Sequence, residues 1–237
     1  MEESIYIYQH LAMGDNILSN AIVRIYAEKY KTVYLFVLPR YTNNISYMFR
    51  DLKNLKLIEV PGSNEEIRFF MKLNPHNKYL VIYIPISTYT GNGPERIYKY
   101  FDEGFYKVAN VPYEYKWDKF YFQRDIEKEK NIFYNILNLK DDEEFLFVHD
   151  DITRNMYIRP QYINKNIKCI HPTQYKNISI MDFTYTIEKA KEVHVINSAF
   201  LALIDTMQIK NDSLFIHEYA IKDSTYHGLK LNWNIIK

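Results

Sequence analysis

The first half of the chain alternates apolar runs with amphipathic segments. Four runs have the length and the nearly continuous apolar character of buried strands: residues 4–9 (SIYIYQ), 32–39 (TVYLFVLP), 55–60 (LKLIEV) and 78–87 (KYLVIYIPIS). The segments between them place apolar residues at helical spacing, over residues 15–29, 45–52, 64–73 and 93–106. Alternation of strands and helices is typical of a parallel sheet with right-handed crossovers.

The alternation stops at residues 111–125, VPYEYKWDKFYFQRD, which are aromatic and irregular. A polar helix is predicted over 124–139, and the alternation then restarts. The later predicted strands are 145–149, 167–171, 192–197 and 213–220, and the later predicted helices are 182–191 and 198–208. We therefore predict an α/β protein with two small Rossmann-like domains that face a cleft, residues 1–118 and 119–237.

Polar segments follow several of the predicted strands. In parallel α/β sheets, ligands bind beyond the carboxyl ends of the strands. The polar segments at such positions are His10–Asn16, Ser87–Gly93, His149–Arg154, His171–Thr173 and Asn197–Ser198. We expect the functional residues to lie among them.

The composition narrows the class of protein. Thirty basic and 29 acidic residues give a formal net charge of +1, whereas a dedicated nucleic-acid binder usually has a marked basic excess. The single cysteine, Cys169, excludes an intramolecular disulfide and argues against a cysteine-based zinc site. No apolar run reaches the roughly 20 residues of a membrane span. The start, MEES, lacks the basic region of a signal peptide, so we expect a cytoplasmic protein.

The turn after the first strand contains several residues that could take part in binding or catalysis. It contains His10, Gly14, Asp15 and Asn16, whereas a plain connector needs at most one glycine and one cap. Gly14 permits a tight turn or close approach of a ligand, and Asp15 can cap the following helix. Asp15 or His10 could also take a proton from an acceptor hydroxyl, and a desolvated carboxylate has the raised pKa that suits a general base.

The stretch 10–24, which has the form HLxxGDxIxxNxxVR, resembles the N-terminal motif of GT-B glycosyltransferases, particularly the heptosyltransferase-like group. The resemblance implies transfer of a sugar from a nucleotide-sugar donor to a glycan or other hydroxyl acceptor. It implies that Asp15 is the catalytic base, with His10 as the alternative. It also implies that the C-terminal domain binds the donor and that no metal or other cofactor is needed.

A second candidate site lies where VINSAFLALID runs from a strand into a helix. Asn197 or Ser198 can cap this helix, and the free N–H groups of a helix start also bind anions. The resemblance implies that Asn197, Ser198 and Ala199 lie near the donor diphosphate. The further donor- or phosphate-binding candidates are Gly14, His149, Asp150, Arg154, His171 and Tyr226.

The segment FVHDDITRN permits three interpretations. Asp150 or Asp151 can cap a turn at a polar strand end, or Arg154 can offer a bidentate fork to a phosphate. The third interpretation is the acidic motif of GT-A glycosyltransferases, which would hold Mn²⁺ or Mg²⁺ against the diphosphate. The paired aspartates occur late in the chain, and Gly14 and Asp15 would then have no role. We therefore favour the metal-independent, two-domain interpretation.

Two other classes of function stay open at this point. One is a non-catalytic protein that binds nucleotides or glycans on a degenerate transferase scaffold, because fold does not fix function. The other is a different Rossmann-type enzyme, such as a methyltransferase or a sugar epimerase, although the dinucleotide glycine fingerprint is absent from the first strand. His194 and His217 lie within apolar strands, which predicts hydrogen-bonded core histidines.

Overall fold

The structure, a computed structural model, describes residues 2–62, 64–84, 98–220 and 227–237. The chain divides into two compact units. The first unit comprises Met1–Gln123 and Thr225–Gly228, and the second comprises Arg124–Ser224 and Leu229–Lys237. Among the described residues, no helix is long and apolar enough to cross a membrane. The domain limit at residues 118 and 119 and the cleft stay predictions.

The first unit contains a parallel sheet, as predicted. Its strands are β1 (Glu2–Tyr8), β2 (Tyr30–Val37), β3 (Leu55–Glu59) and β4 (Tyr79–Val81), in the order β3-β2-β1-β4. Its helices are α1 (Met13–Leu18), α2 (Asn20–Lys29), α3 (Thr42–Met48), α4 (Asn64–Leu73), α5 (Phe101–Val108) and α6 (Tyr115–Asp118).

Both faces of this sheet are covered by protein. Ile5 and Ile7 are buried on one face of β1, while Tyr8 is buried on the other face in a cluster with Phe36 and Ile67. Because successive side chains of a strand point to opposite faces, a nearly continuous apolar run is what a doubly covered strand needs.

Three predictions for the first unit need correction. The single helix predicted over 15–29 is two helices, because the buried Ser19 hydroxyl donates back to the carbonyl of Asp15 and interrupts the helix between α1 and α2. Of the helix predicted over 93–106, residues 93–97 lie outside the described residues, and residues 98–100 are not helical because the Glu103 carboxylate accepts the N–H groups of Lys99 and Tyr100, so α5 begins at Phe101. The segment predicted to be irregular contains α6.

The second unit contains a second parallel sheet. Its strands are β5 (Phe145–His149), β6 (Lys168–Ile170), β7 (Glu192–Val195), β8 (Leu214–His217) and β9 (Asn234–Ile236), in the order β6-β5-β7-β8-β9. Its helices are α7 (Ile126–Asn131), which continues into a π-helical turn (Ile132–Ile136), α8 (Thr184–Lys189) and α9 (Ala199–Met207).

The end of the second sheet differs from the prediction. The strand predicted to reach residue 220 ends at His217 and gives way to a 3₁₀ turn, Glu218–Ala220. Strand β9 was not predicted, because three residues are too few for a periodic signal. The chain before β9 is held by Asp205, whose carboxylate accepts the main-chain N–H groups of Lys230 and Leu231.

Candidate functional site

Each sheet has one point where its winding direction reverses. In the first sheet, β2 and β3 lie on one side of β1 and β4 lies on the other; in the second, β6 and β7 flank β5 in the same way. Ligands of open α/β sheets bind at such switch points, beyond the carboxyl ends of the strands. We call residues His10–Asn16 with Ile84 the first edge, and residues His149–Arg154 with Asn197 and Ser198 the second edge. Each edge is described within its own unit.

His10 joins the ends of β1 and β4 at the first edge. Its Nε2 lies 2.9 Å from the main-chain nitrogen of Ile84 and 3.0 Å from the Ile84 carbonyl oxygen. Its ring stacks on Tyr83, with 4.2 Å between the centroids. Burial lowers the pKa of His10 to about 4, against a weaker opposing effect of the Ile84 main chain. The imidazole is therefore neutral at pH 7, and its Nε2 is already bonded to the main chain.

Asp15 is the third residue of α1, three positions after the capping residue. The N-cap position is Ala12, and Gly14 and Asp15 both belong to the helix. The predicted cap at Asp15 and the predicted turn at Gly14 are thus wrong. Burial raises the pKa of the half-buried Asp15 to about 7, although a hydrogen bond to the main chain of Ala12 lowers it in part. A carboxyl group with this pKa can accept a proton near neutral pH.

A buried polar network fixes α1 against the end of β1. The Gln9 amide donates to Asn16 Oδ1 at 2.5 Å, and Asn16 donates to the Ala12 carbonyl at 2.8 Å. The Ser19 hydroxyl lies within hydrogen-bond distance of the Gln9 side-chain oxygen and of the Asp15 main-chain oxygen, and it can donate its one hydrogen to either. The backbone on both sides of the Asp15 side chain is therefore held in place. The sequence showed Asn16 as a polar turn residue but gave no signal for Gln9 or Ser19.

The last two polar residues of the HLxxGDxIxxNxxVR stretch have structural contacts. Asn20 donates to the Tyr121 carbonyl at 3.0 Å and accepts the Tyr121 N–H at 3.1 Å. Arg24 forms a bidentate pair with Asp51, at 2.7 and 2.9 Å, and its guanidinium lies over the Tyr121 ring. Asn20 and Arg24 thus fasten the segment around Tyr121 to α2, away from the carboxyl edge of the sheet.

The second edge brings the end of β5 to the start of α9. Ser198 is the N-cap residue of α9, but its hydroxyl lies 3.1 Å from His149 Nδ1 and makes no capping bond to the helix. Burial lowers the pKa of His149 to about 4, so this imidazole is neutral at pH 7. The first N–H groups of an α-helix have no intrahelical acceptor, and an anion placed there is favoured by the helix dipole. The predicted helix start at Asn197 and Ser198 is confirmed.

The acidic pair of the second edge is engaged with protein groups. Asp150 accepts the Ile158 N–H at 2.6 Å and lies 3.4 Å from His171 Nδ1. Burial pushes the pKa of Asp150 upward, but the bonds from His171 and Ile158 outweigh it and hold this pKa below its usual value. Asp151 caps a 3₁₀ turn by accepting the main-chain N–H of Arg154, as one interpretation predicted.

Arg154 lies between Asp151 and the second switch-point loop. Its Nε donates to Asp151 Oδ2 at 2.5 Å, and one terminal nitrogen donates to the Asn197 carbonyl at 2.8 Å. Since a guanidinium has five N–H donors, the contacts with described residues leave three donors for a ligand. The side chain is 43% exposed.

The two aspartates that the GT-A alternative assigns to Mn²⁺ or Mg²⁺ have separate contacts in the second edge. The Asp150 and Asp151 carboxylates bond to different protein partners rather than converging on one point. In the described ranges, no group of three or more His, Cys, Asp or Glu side chains could hold a metal ion. Two predicted parts of the site, Tyr226 and the loop Ser87–Gly93, lie outside the described residues.

Comparison with known proteins gives a likeness in structure alone. No protein-family model matches the chain, and no curated protein matches it in sequence. The structure of a glycosyl transferase family 9 protein from Veillonella parvula aligns with a TM-score of 0.59 at 8% identity, over 99% of this chain and 86% of that chain. Escherichia coli ADP-heptose LPS heptosyltransferase II aligns with a TM-score of 0.47 at 9% identity, over 99% and 90% of the two chains. E. coli heptosyltransferase WaaC with ADP aligns with a TM-score of 0.47 at 12% identity, over 98% and 92%.

The first of these alignments concerns the fold. It spans nearly the whole of this chain, so the two parallel α/β units together correspond to that glycosyl transferase fold. The predicted α/β, GT-B-like fold class is confirmed at this level.

Proposed function

We propose that the protein is a metal-independent glycosyltransferase that moves a sugar from a nucleotide-sugar donor to a hydroxyl acceptor. The observation that carries this proposal is the Asp15 carboxyl group, whose pKa of about 7 makes it a competent base at the carboxyl edge of the first sheet. The fold shared with a glycosyl transferase family 9 structure supports the same class of reaction.

Asp15 is a better candidate for the base than His10. The pKa of His10 is about 4 and its Nε2 is bonded to the main chain of Ile84, so it is a weak base with one nitrogen occupied. In the proposed reaction, Asp15 takes the proton of the acceptor hydroxyl while that oxygen forms its bond to the anomeric carbon. The bond between the anomeric carbon and the nucleoside diphosphate breaks, and the electron pair leaves with the diphosphate.

The second unit would hold the nucleotide. The first N–H groups of α9 and the free donors of Arg154 are groups that stabilise a departing diphosphate without a metal ion. Ser198 would meet the same phosphates through its hydroxyl, which His149 holds at 3.1 Å. Asp150 and His171 would serve as polar neighbours of this site rather than as metal ligands.

The first test is a thermal-shift panel with UDP, GDP, ADP, CMP and dTDP, each with and without Mn²⁺. A nucleotide present at 100 times its Kd adds about 2.7 kcal/mol to the free energy of unfolding, which is easily measured. We expect one nucleoside diphosphate to stabilise the protein equally with and without metal. Stabilisation only with Mn²⁺ contradicts metal independence, and stabilisation by none of the five contradicts the transferase assignment.

Turnover separates an enzyme from a non-catalytic binder. With a nucleotide-sugar of the nucleotide that the panel identifies, the wild-type protein should release the nucleoside diphosphate as it transfers the sugar to water in place of the acceptor, and Asp15→Asn should lower this rate by about 10²- to 10⁴-fold, the usual contribution of a general base. Ser4→Ala, on β1 in the same unit, is the control and should leave the rate unchanged. Binding without turnover in the wild-type protein would favour the binder.

A further inference from the structure

Two buried histidines connect the interior of the second sheet to its carboxyl edge. His194 on β7 and His217 on β8 are each 1% exposed, and His194 Nδ1 lies 2.9 Å from His217 Nε2. At one end, His194 Nε2 lies 3.0 Å from the Glu192 carboxylate. At the other end, His217 Nδ1 lies 3.1 Å from the hydroxyl of Tyr219. These four side chains form one continuous chain of hydrogen bonds, which we call the relay.

The Glu192 end of the relay fixes the direction of every bond in it. The main-chain N–H of Arg159, which can only donate, reaches the Tyr219 oxygen at 2.7 Å. The Glu192 carboxylate can only accept, so His194 must carry its proton on Nε2 and accept on Nδ1. His217 then donates from Nε2 and accepts on Nδ1. The Tyr219 hydroxyl must therefore donate inward, to His217.

This direction decides what Tyr219 offers to a ligand. A phenolic oxygen has one donor hydrogen and two acceptor positions. The hydrogen is used by His217 and one acceptor position by Arg159, so the contacts among the described residues leave one acceptor position. Tyr219 belongs to the 3₁₀ turn that directly follows β8, and its ring is half-buried between the Arg159 guanidinium and the Tyr162 ring.

We propose that Tyr219 is a specificity-determining residue of the second unit, held as a hydrogen-bond acceptor by the positioning residues Glu192, His194 and His217. Its ligand is a donor group of the nucleotide, either a ribose hydroxyl or an exocyclic amino group of the base. The inference rests on the proposed function, which supplies the nucleotide. The relay itself is a property of the fold and can be tested without any ligand.

The surroundings of the histidines keep the relay in its neutral form. Burial lowers the pKa of His217 to about 4, with a further lowering by His194 and an opposing effect of Asp150 beyond β5. Burial also lowers the pKa of His194, against the effect of Glu192 on the same strand. The loop that covers this face contributes Arg159 and Tyr162, and β9 places the apolar Ile236 opposite His217.

Adding one donor at the Glu192 end would reverse the relay. An ammonium at position 192 donates to His194 Nε2, so His194 carries its proton on Nδ1 and donates to His217 Nε2. His217 then carries its proton on Nδ1 and donates to the Tyr219 oxygen. The hydroxyl hydrogen of Tyr219 is released from the relay, so the residue becomes a donor at the edge. Glu192 is 29% exposed, which leaves room for a lysine there.

The first experiment measures the imidazole tautomers by ¹⁵N NMR of the full-length, uniformly labelled protein at pH 7. We expect both His194 and His217 to carry the proton on Nε2. Glu192→Lys should move both protons to Nδ1, whereas Glu192→Gln, which keeps an acceptor oxygen, should leave them on Nε2. The relay would be overturned if His217 of the wild type carried its proton on Nδ1. It would also be overturned if Glu192→Lys left the tautomers of both histidines unchanged.

The second experiment measures nucleotide binding by calorimetry, with the nucleoside diphosphate that gave the largest thermal shift. Tyr219→Phe removes one neutral hydrogen bond and should weaken binding about fivefold to tenfold. His217→Leu should weaken it to a similar extent, and His217→Asn, which keeps an acceptor near the Nδ1 position, should recover most of the affinity. Glu192→Lys should weaken binding at least as much as Tyr219→Phe, and Glu192→Gln should not.

The outcomes separate the two proposals. Wild-type binding that Tyr219→Phe leaves unchanged overturns the ligand contact while the proposed function stands. No binding of any nucleotide overturns the proposed function and the ligand contact together, and the NMR result still decides the relay. The 2′-deoxy and 3′-deoxy analogues identify the donor group: a loss of affinity with either analogue that is seen in wild type but not in Tyr219→Phe assigns that ribose hydroxyl, and equal effects on both proteins with both analogues assign the base.

Discussion

The Lys116 ammonium lies 2.6 Å from a carboxylate oxygen of Asp102, and both side chains are completely buried in the first unit. Two further polar groups donate hydrogen bonds to the Asp102 carboxylate. The Tyr113 hydroxyl donates to Asp102 at 2.9 Å, and the Gly228 N–H donates to the other Asp102 oxygen at 3.1 Å. The cluster therefore ties the late segment at Gly228 to α5 and α6, whose residues are more than 100 positions earlier.

Removing one partner of this pair should be costly. Lys116→Met leaves the Asp102 carboxylate buried without its cation, and we expect a loss of about 3–5 kcal/mol in the free energy of unfolding. Urea denaturation followed by circular dichroism measures the change. The double variant Lys116→Met with Asp102→Leu should lose less than Lys116→Met alone, because no unpaired charge is left.

The matched control is an exposed ion pair in the same unit. Lys31 pairs with Glu3 on the surface, where the two side chains are 56% and 83% exposed. Lys31→Met should leave the urea midpoint nearly unchanged. If the buried and the exposed substitutions had equal effects, the Lys116–Asp102 pair would have no special role in stability.

Gly228 is close-packed against the same cluster. A Cβ atom at this position would lie 2.3 Å from the Tyr113 hydroxyl oxygen. The Tyr113 side chain, which is hydrogen-bonded to Asp102, would therefore have to shift. Gly228→Ala should cost about 1–3 kcal/mol of unfolding free energy, as overpacked substitutions do. Removing the obstructing oxygen with Tyr113→Phe should reduce the cost of Gly228→Ala in the double-mutant cycle. If the losses of unfolding free energy from Gly228→Ala and Tyr113→Phe simply added in the double variant, the close contact between Gly228 and Tyr113 would be contradicted.

Asn20 should contribute strongly to the stability of the first unit. Asn20→Ala leaves the Tyr121 N–H without its acceptor, and an unsatisfied group of this kind costs about 1–3 kcal/mol, whereas the Tyr121 carbonyl keeps the Arg24 Nε donor at 2.7 Å. We expect a lower urea midpoint for this variant. Asn43→Ala on α3, where the side chain is exposed, should give no measurable change. A small effect of Asn20→Ala would show that water satisfies the Tyr121 main chain.

The strands were predictable because each is a compact apolar run. Ile5 and Tyr8 on β1, or Phe145 and Val148 on β5, are buried on opposite faces of their sheets, and only a nearly continuous apolar stretch provides this. Strand β9 escaped prediction because it is short and the chain just before it, at Lys230 and Leu231, is held by the side chain of Asp205, a contact over more than 20 positions.

The candidate site was predictable only where it follows a strand directly. His149 and Ser198 were selected because each follows a predicted strand, and they meet because β5 and β7 are neighbours in the sheet. The burial that raises the pKa of Asp15 and the hydrogen bonds of Gln9 depend on how α1 packs against β1. Tertiary packing of this kind produces no periodic pattern in the sequence, so these contacts could not be predicted from it.

Arg154 should contribute to nucleotide binding. Arg154→Ala removes charge-assisted hydrogen bonds to a phosphate, which are worth about 1.5–3 kcal/mol and correspond to a roughly 10- to 150-fold loss of affinity. Calorimetry with the stabilising nucleoside diphosphate measures this change. Lys165→Ala, an exposed cation of the same unit, is the control and should not alter the affinity. If Arg154→Ala and Lys165→Ala bound the nucleotide with the same affinity, Arg154 would have no part in phosphate binding.

Asp15 should make the stability of the protein depend on pH. Because its folded-state pKa is about 7 and the ordinary aspartate value is 3.8, the folded state disfavours the charged form. The contribution of Asp15 to stability is therefore complete below about pH 4 and is lost as the pH rises through 7. Asp15→Asn cannot ionise, so its advantage in unfolding free energy should grow between pH 4 and pH 7 and then level off. The upper limit is about 4 kcal/mol, since each pKa unit corresponds to 1.36 kcal/mol, and partial solvent access of Asp15 reduces it.

Melting temperatures of wild type and Asp15→Asn between pH 4 and pH 8 measure this effect. The matched control is Glu28→Gln, an exposed carboxyl group on α2, whose melting curve should stay parallel to that of wild type over this range. The same ionisation should govern catalysis, since a base must be unprotonated: kcat/KM of the wild type should rise through pH 7 and then reach a plateau. If the stability difference were constant with pH, the Asp15 carboxyl would have an ordinary pKa in the folded protein and would lack the property that makes it a suitable base.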